Sequence, residues 1–150
     1  MTDDRDRLIE HYAKMRAELL AAVEGLSEDQ MKERSIDGWS VNDHLAHLAA
    51  WDEVRASEVA RISAGHESAW RMHGAQDATF SHLAHDLRAG LAVAQVRWEI
   101  DASRAALTAA IRQATPRGME PDLYGEAGLV SFHERQHAGW IRAWRQKKGI

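Results

Sequence analysis

Apolar residues recur along the chain at intervals of three and four, the spacing that gathers them on one face of an α-helix. The first run is Leu8, Tyr12, Met15, Leu19, Val23 and Leu26, which predicts a helix over about 3–25. Asp3/Arg7, Glu10/Lys14 and Lys14/Glu18 stand four apart on its wet side, and the first two pairs place the acid first, the stabilising order. His11 falls beside Tyr12, at the surface or the rim. Gly25-Leu26-Ser27 ends this helix, and Ser27-Glu28-Asp29-Gln30 can cap a short turn of helix before a loop over 32–38. A second helix starts at Ser40, an N-cap residue, with Asp43 in the capping-box position, and runs to about Ser63 before Ala64-Gly65. Its inward stripe is Val41, His44 or Leu45, Leu48, Trp51 or Asp52, and Arg55 or Val59, with Trp39 stapled to His44 or Leu45. Residues 65–76 have no clean period and read as a loop anchored by Trp70, with Trp70 and His73 as candidates for a pocket rim.

A third helix is expected over about 78–113, flexed near Gly90. Its stripe is Leu83, Leu87, Leu91, Ala94, Trp98, Asp101, Ala105, Thr108 and Ile111 or Arg112, with His82 and His85 on a polar face near its start. Thr115-Pro116-Arg117-Gly118 stops it. A loop over 117–127 carries Pro121, Tyr124 and Gly125 into a fourth helix over about 129–146, marked by Leu129, Phe132, His133, Gln136, His137, Trp140, Ile141 and Trp144. Four amphipathic helices with connections of moderate length predict an all-α four-helix bundle, a single domain over 1–150.

Composition narrows the chemistry. The chain has 150 residues, enough for one sizeable core. Its net charge is -4 and its pI about 6.1, and its one short basic cluster, Arg145-Gln146-Lys147-Lys148, suits a helix C-terminus. Nucleic acid is therefore not an expected partner. There is no cysteine, which removes disulfides, a Cys nucleophile and thiolate metal ligands. The N-terminal residues do not read as a signal peptide, and no apolar run reaches membrane length, so a soluble cytoplasmic protein is expected. The unusual feature is nine histidines and six tryptophans in a chain this short.

Two of the histidines stand in the sequence His133-Glu134-Arg135-Gln136-His137. On a helix, residues four apart lie above one another, so two imidazoles here can aim at one point. That is how a helix supplies two ligands to a zinc-type metal, with the intervening glutamate a candidate general base. The competing reading is a pair of buried, hydrogen-bonded histidines. An extended metalloprotease motif would place Gly at 140 and His at 143, where this chain has Trp140 and Ala143. Residues 138–150 contain no His, Asp, Glu or Cys. A third ligand must therefore come from an earlier helix facing this one. His44 and His47 lie three apart on the second helix, with one of them near its core boundary.

Trp39-Ser40-Val41-Asn42-Asp43-His44-Leu45-Ala46-His47-Leu48-Ala49-Ala50-Trp51, followed by His133 to Ile141, resembles the DinB/YfiT-like four-helix-bundle superfamily over nearly the whole chain. The resemblance implies a divalent metal, zinc or nickel, held by His47, His133 and His137. His47 is preferred to His44 because it stands in the His-Leu pair before Ala-Ala-Trp. The superfamily includes transferases and isomerases that use low-molecular-weight thiols, metal-dependent hydrolases, and ClbS/DfsB-type proteins that protect against a reactive genotoxin. The resemblance thus implies a metal-dependent transferase or hydrolase acting on a small electrophilic molecule. A non-catalytic module that sequesters a metal or a reactive small molecule, or a bundle whose metal only staples its helices within a homodimer, are the alternatives. Glu134 is the candidate catalytic base, though it lies about 100° around the helix from His133 and could instead orient a ligand. Trp51, Trp140 and Trp144 are candidate pocket walls.

Overall fold

The computed structural model describes residues 3–71 and 74–150, so His73 lies outside the described residues. Six α-helices follow in order among the described residues: α1 (Asp4–Val23), α2 (Glu28–Lys32), α3 (Val41–Ser63), α4 (Gly74–Arg88), α5 (Val93–Arg112) and α6 (His133–Lys148). Two 3-10 turns, Arg117–Met119 and Pro121–Leu123, lie between α5 and α6. No strand occurs among the described residues. The long helices α1, α3, α5 and α6 form the bundle, with α3 packed along α5 and α1 along α6. The bundle is the all-α architecture that the periodicity predicts.

Local chemistry sets the helix starts. The Ser27 and Ser40 hydroxyls each accept from the backbone N–H three residues on, and Gln30 and Asp43 accept from the cap N–H in return. Such reciprocal caps satisfy two donors that the first helical turn would otherwise leave unpaired. The stripe of α1 packs as its spacing requires, with Leu8, Tyr12, Met15, Leu19 and Val23 all buried. In α3 every residue from Val41 to Asp52 is buried, so this helix is the central post of the bundle rather than a one-sided surface helix.

The expected single helix over 78–113 is two helices. The chain turns at Ala89-Gly90, with the Leu91 N–H donating to the Arg88 carbonyl, and restarts at Val93. Glycine is about 1 kcal/mol poorer than alanine in a helix, and here the break lets α4 leave the bundle and lie on the flank of α3. Of the stripe expected across the break, Ile111 alone is buried. Leu83, Leu87 and Trp98 are 58%, 74% and 67% exposed, and the face of α5 that enters the core is Val93, Val96, Ile100, Ser103, Leu107 and Ile111. No residue of α4 is buried.

The last helix also starts later than its apolar spacing indicates, at His133 rather than near 129. Residues 129–132 stay irregular because tertiary bonds claim their backbone. The Leu129 carbonyl accepts from the buried Tyr12 hydroxyl, and the Ser131 carbonyl lies 2.6 Å from His11 Nε2. Phe132 and Trp140 are exposed, and the buried face of α6 is Glu134, His137, Ala138, Ile141 and Trp144.

A charged cluster sits inside the bundle. Arg16 of α1 bonds Glu134 of α6 at 2.8 Å and Asp52 of α3 at 3.0 Å, and a third of its donors reaches the Ile100 carbonyl of α5. Arg104 of α5 bonds the same two carboxylates and the Tyr12 carbonyl. Arg55 faces Asp52 and donates to the carbonyls of Ala127 and Gly128. Burial pushes the Arg16 and Arg104 pKa values below the ordinary guanidinium value, and Asp52 works in the opposite direction. Buried ion pairs add little net stability when complete but are expensive to break. This cluster therefore fixes the rotation of α6, and with it the direction in which His133 and His137 point.

Candidate metal centre

The rotation of α6 turns His133 and His137 toward α3, and the rotation of α3 turns His44 and His47 toward α6. The His133 Nε2 lies 3.0 Å from His137 Nε2 and 3.3 Å from His47 Nε2. One ligand nitrogen from each of His47, His133 and His137 lies within 4.8 Å of the other two. Ligand nitrogens about 2.0–2.1 Å from a zinc ion stand roughly 3.0–3.4 Å apart across a coordination edge, so these spacings suit a bound divalent cation. The four-residue repeat preorganises the α6 pair, and the helix packing brings in His47 from a different part of the sequence.

Electrostatics favour the same use. Burial is the first cause in every imidazole of the group, and the neighbouring histidines add to it. His47 is pushed down to about 3, His44 and His133 to about 4, and His137 further below the ordinary value. All four are neutral at pH 7, the state in which imidazole ligates a metal. No carboxylate bonds a ligand imidazole among the described residues. Three neutral imidazoles would leave a divalent cation its full charge, and a cation so held would attract an anionic partner.

Two cavities adjoin the cluster and share His47 and His133. One, about 370 Å³, is walled by Trp39, His44, His137 and Trp140. The other, about 260 Å³, is polar and reaches Arg55, Asp77, Ser81 and Glu126. A cavity of about 630 Å³ at Ser68, Arg117 and Tyr124 is larger but holds none of the imidazoles.

The remaining candidates separate clearly. Glu134 shares the motif with the two α6 histidines, yet its carboxylate turns the other way, onto Arg16 and Arg104. Trp140 stands 4.8 Å from the His137 ring and Trp51 6.4 Å from the His133 ring, measured between ring centroids, so both line the site. Trp144 is core, its indole N–H donating to Ser35 Oγ at 2.7 Å. Trp70 packs on Phe80 in the groove between α3 and α4. His11 braces the segment before α6 against Phe132. Sequence reasoning missed Trp39 as a cavity wall. Its signal was the cap: a residue just before an N-cap lies against the first turn of the helix, here beside His44 and His47. His82 also lines that cavity, and His85 stacks on Trp39 at 4.6 Å. No spacing rule reached these two, because they come from α4 folded back across the site.

The profile of the DinB superfamily matches residues 11–141, most of the chain, including both histidine-bearing helices. The chain belongs to the DinB superfamily. No curated protein and no solved structure matches it. In this DinB-superfamily chain the histidine group is built from α3 and α6, and no described helix is long and apolar enough to cross a membrane.

Proposed function

We propose that this chain is a metal-dependent enzyme, a transferase or hydrolase, that acts on a small electrophilic molecule, with His47, His133 and His137 holding a divalent cation such as zinc or nickel. The observation that carries this reading is the convergence of three neutral imidazoles, His47 and His137 buried and His133 half-buried, at two adjoining cavities. The donor set fits the ion: imidazole suits zinc and nickel, and three protein ligands leave a position free, as in catalytic rather than closed structural sites. A cation held there would lower the pKa of a thiol or water reaching it and so supply a nucleophile near neutral pH. Trp39, Trp51 and Trp140 would form the apolar walls for the electrophile. A low-molecular-weight thiol, abundant in cytoplasm, would be the co-substrate of a transferase.

Glu134 is a poor general base in this geometry, because both carboxylate oxygens already serve arginines. We assign it to holding α6 in register. That same observation supports a second reading, a non-catalytic protective protein of the ClbS/DfsB type, over a hydrolase that would need a free carboxylate beside the histidines. Metal analysis of the purified protein tests the centre, and zinc or nickel should be found at one equivalent per chain. Incubating loaded protein with a thiol and an electrophile then separates the readings. Many turnovers per site support the transferase, stoichiometric loss of the electrophile supports the protective protein, and no metal under any loading condition removes the metal-dependent enzyme.

A further inference from the structure

The fourth histidine of the cluster has a function of its own. His44 is 4% exposed, and its Nδ1 lies 2.6 Å from the Nδ1 of His137. At that distance the two nitrogens share one proton: two bare lone pairs would repel, and two N–H groups would collide. The proton's owner follows from the metal reading, on which this inference rests. His137 presents Nε2 toward His133, so a His137 that ligates through Nε2 carries its hydrogen on Nδ1. We infer that His44 is a positioning residue, whose Nδ1 accepts that hydrogen and so fixes both the tautomer and the ring orientation of His137.

Ligating histidines commonly give their second N–H to a carboxylate, a carbonyl or water. Here the acceptor is another imidazole, which adds no negative charge behind the cation. His44 must then hold its own hydrogen on Nε2, an atom that is buried and has no hydrogen-bond partner. It is surrounded by aromatic rings, with Trp39 centred 5.4 Å from the His44 ring and Trp140 6.2 Å away. Leaving a donor unpaired costs about 1–3 kcal/mol, and that cost is understandable only if the Nδ1 on the other side is useful. His47 provides the contrast. Its Nδ1 is buried with no partner at all, so of the two α3 histidines only His44 braces a neighbour in the triad.

The test compares His44→Gln, which retains an acceptor, with His44→Leu, which has none. Zinc affinity would be measured by competition with a chromophoric chelator, and helicity and melting of the metal-free proteins would be recorded alongside. The expected result is a loss of about 10–100-fold in zinc affinity for the leucine variant and recovery of most of it in the glutamine variant, at similar metal-free stability. A merely structural role would lower melting in both variants and leave zinc affinity indifferent to the acceptor. Long-range proton–nitrogen spectra of the zinc-loaded wild type need no variant. They should show His137 protonated on Nδ1 and His44 on Nε2. A leucine variant that binds zinc like the wild type, or a His44 that carries its proton on Nδ1 or itself bonds the metal, overturns the inference while leaving a metal centre. Failure of the wild type to bind zinc or nickel removes the centre and this role together.

Discussion

Glu134→Gln separates a structural glutamate from a catalytic one. In the native bundle three guanidinium groups, Arg16, Arg55 and Arg104, surround two carboxylates, Asp52 and Glu134, in a region from which water is nearly excluded. The substitution keeps the volume but leaves three cations facing one anion. Removing one partner of a buried ion pair typically destabilises by about 3–5 kcal/mol. The amide oxygen can still accept from one arginine, which places the expected loss at the lower end, about 3 kcal/mol. For a chain of this length each kcal/mol moves Tm by about 2–4 °C, so the metal-free variant should melt roughly 6–12 °C below the wild type. Its zinc affinity, measured below the melting range, should stay within a few-fold, because the amide still bonds one arginine and keeps the folded α6 in register. A wild-type Tm would refute the account of the charged cluster. An unchanged Tm accompanied by lost turnover would return Glu134 to the role of general base.

Three further outcomes are expected. Alanine at His47, His133 or His137 should weaken zinc or nickel binding far more than alanine at His11, His66 or His82, and equal affinities across this set in a titration would dismiss the triad. The pH dependence follows from burial: the folded imidazoles titrate near 3–4 or lower, the unfolded ones near 6.5, so unfolding takes up protons below about 6.5. The stability that neutral histidines contribute is therefore complete above pH 6.5 and lost as pH falls toward 4, by up to about 1.4 kcal/mol per pH unit for each histidine. Metal occupancy of the folded protein should likewise persist below pH 6, where an unperturbed imidazole would release it, and a binding midpoint near 6.5 would contradict this. Zinc should perturb tryptophan fluorescence, and Trp140→Ala should remove a substantial part of the change, since Trp140 packs on His137; an unaltered response in that variant would place the reporting indole elsewhere.

Local rules made much of this molecule readable from its sequence. The stripe of α1, the Ser27 and Ser40 caps, the stop at Pro116 and the four-residue spacing of His133 and His137 each depend on neighbours within one or two turns, and each stands in the structure as the spacing indicates. The preference for His47 came from resemblance to a family, and the structure sets His47 Nε2 3.3 Å from His133 Nε2. Tertiary structure decided the rest, because those outcomes depend on what lies opposite a residue and not beside it. Periodicity carried across Gly90 could not show that α4 would leave the bundle, so its leucines were given to a core they never enter. Spacing placed Glu134 between two histidines, but only the approach of Arg16 from α1 and Arg104 from α5 turned it away from them. His44 and His47 each precede a leucine and stand three apart on one helix, so spacing alone does not separate them. The packing angle of α3 against α6 gave one Nε2 to the triad and set the other residue's Nδ1 against His137.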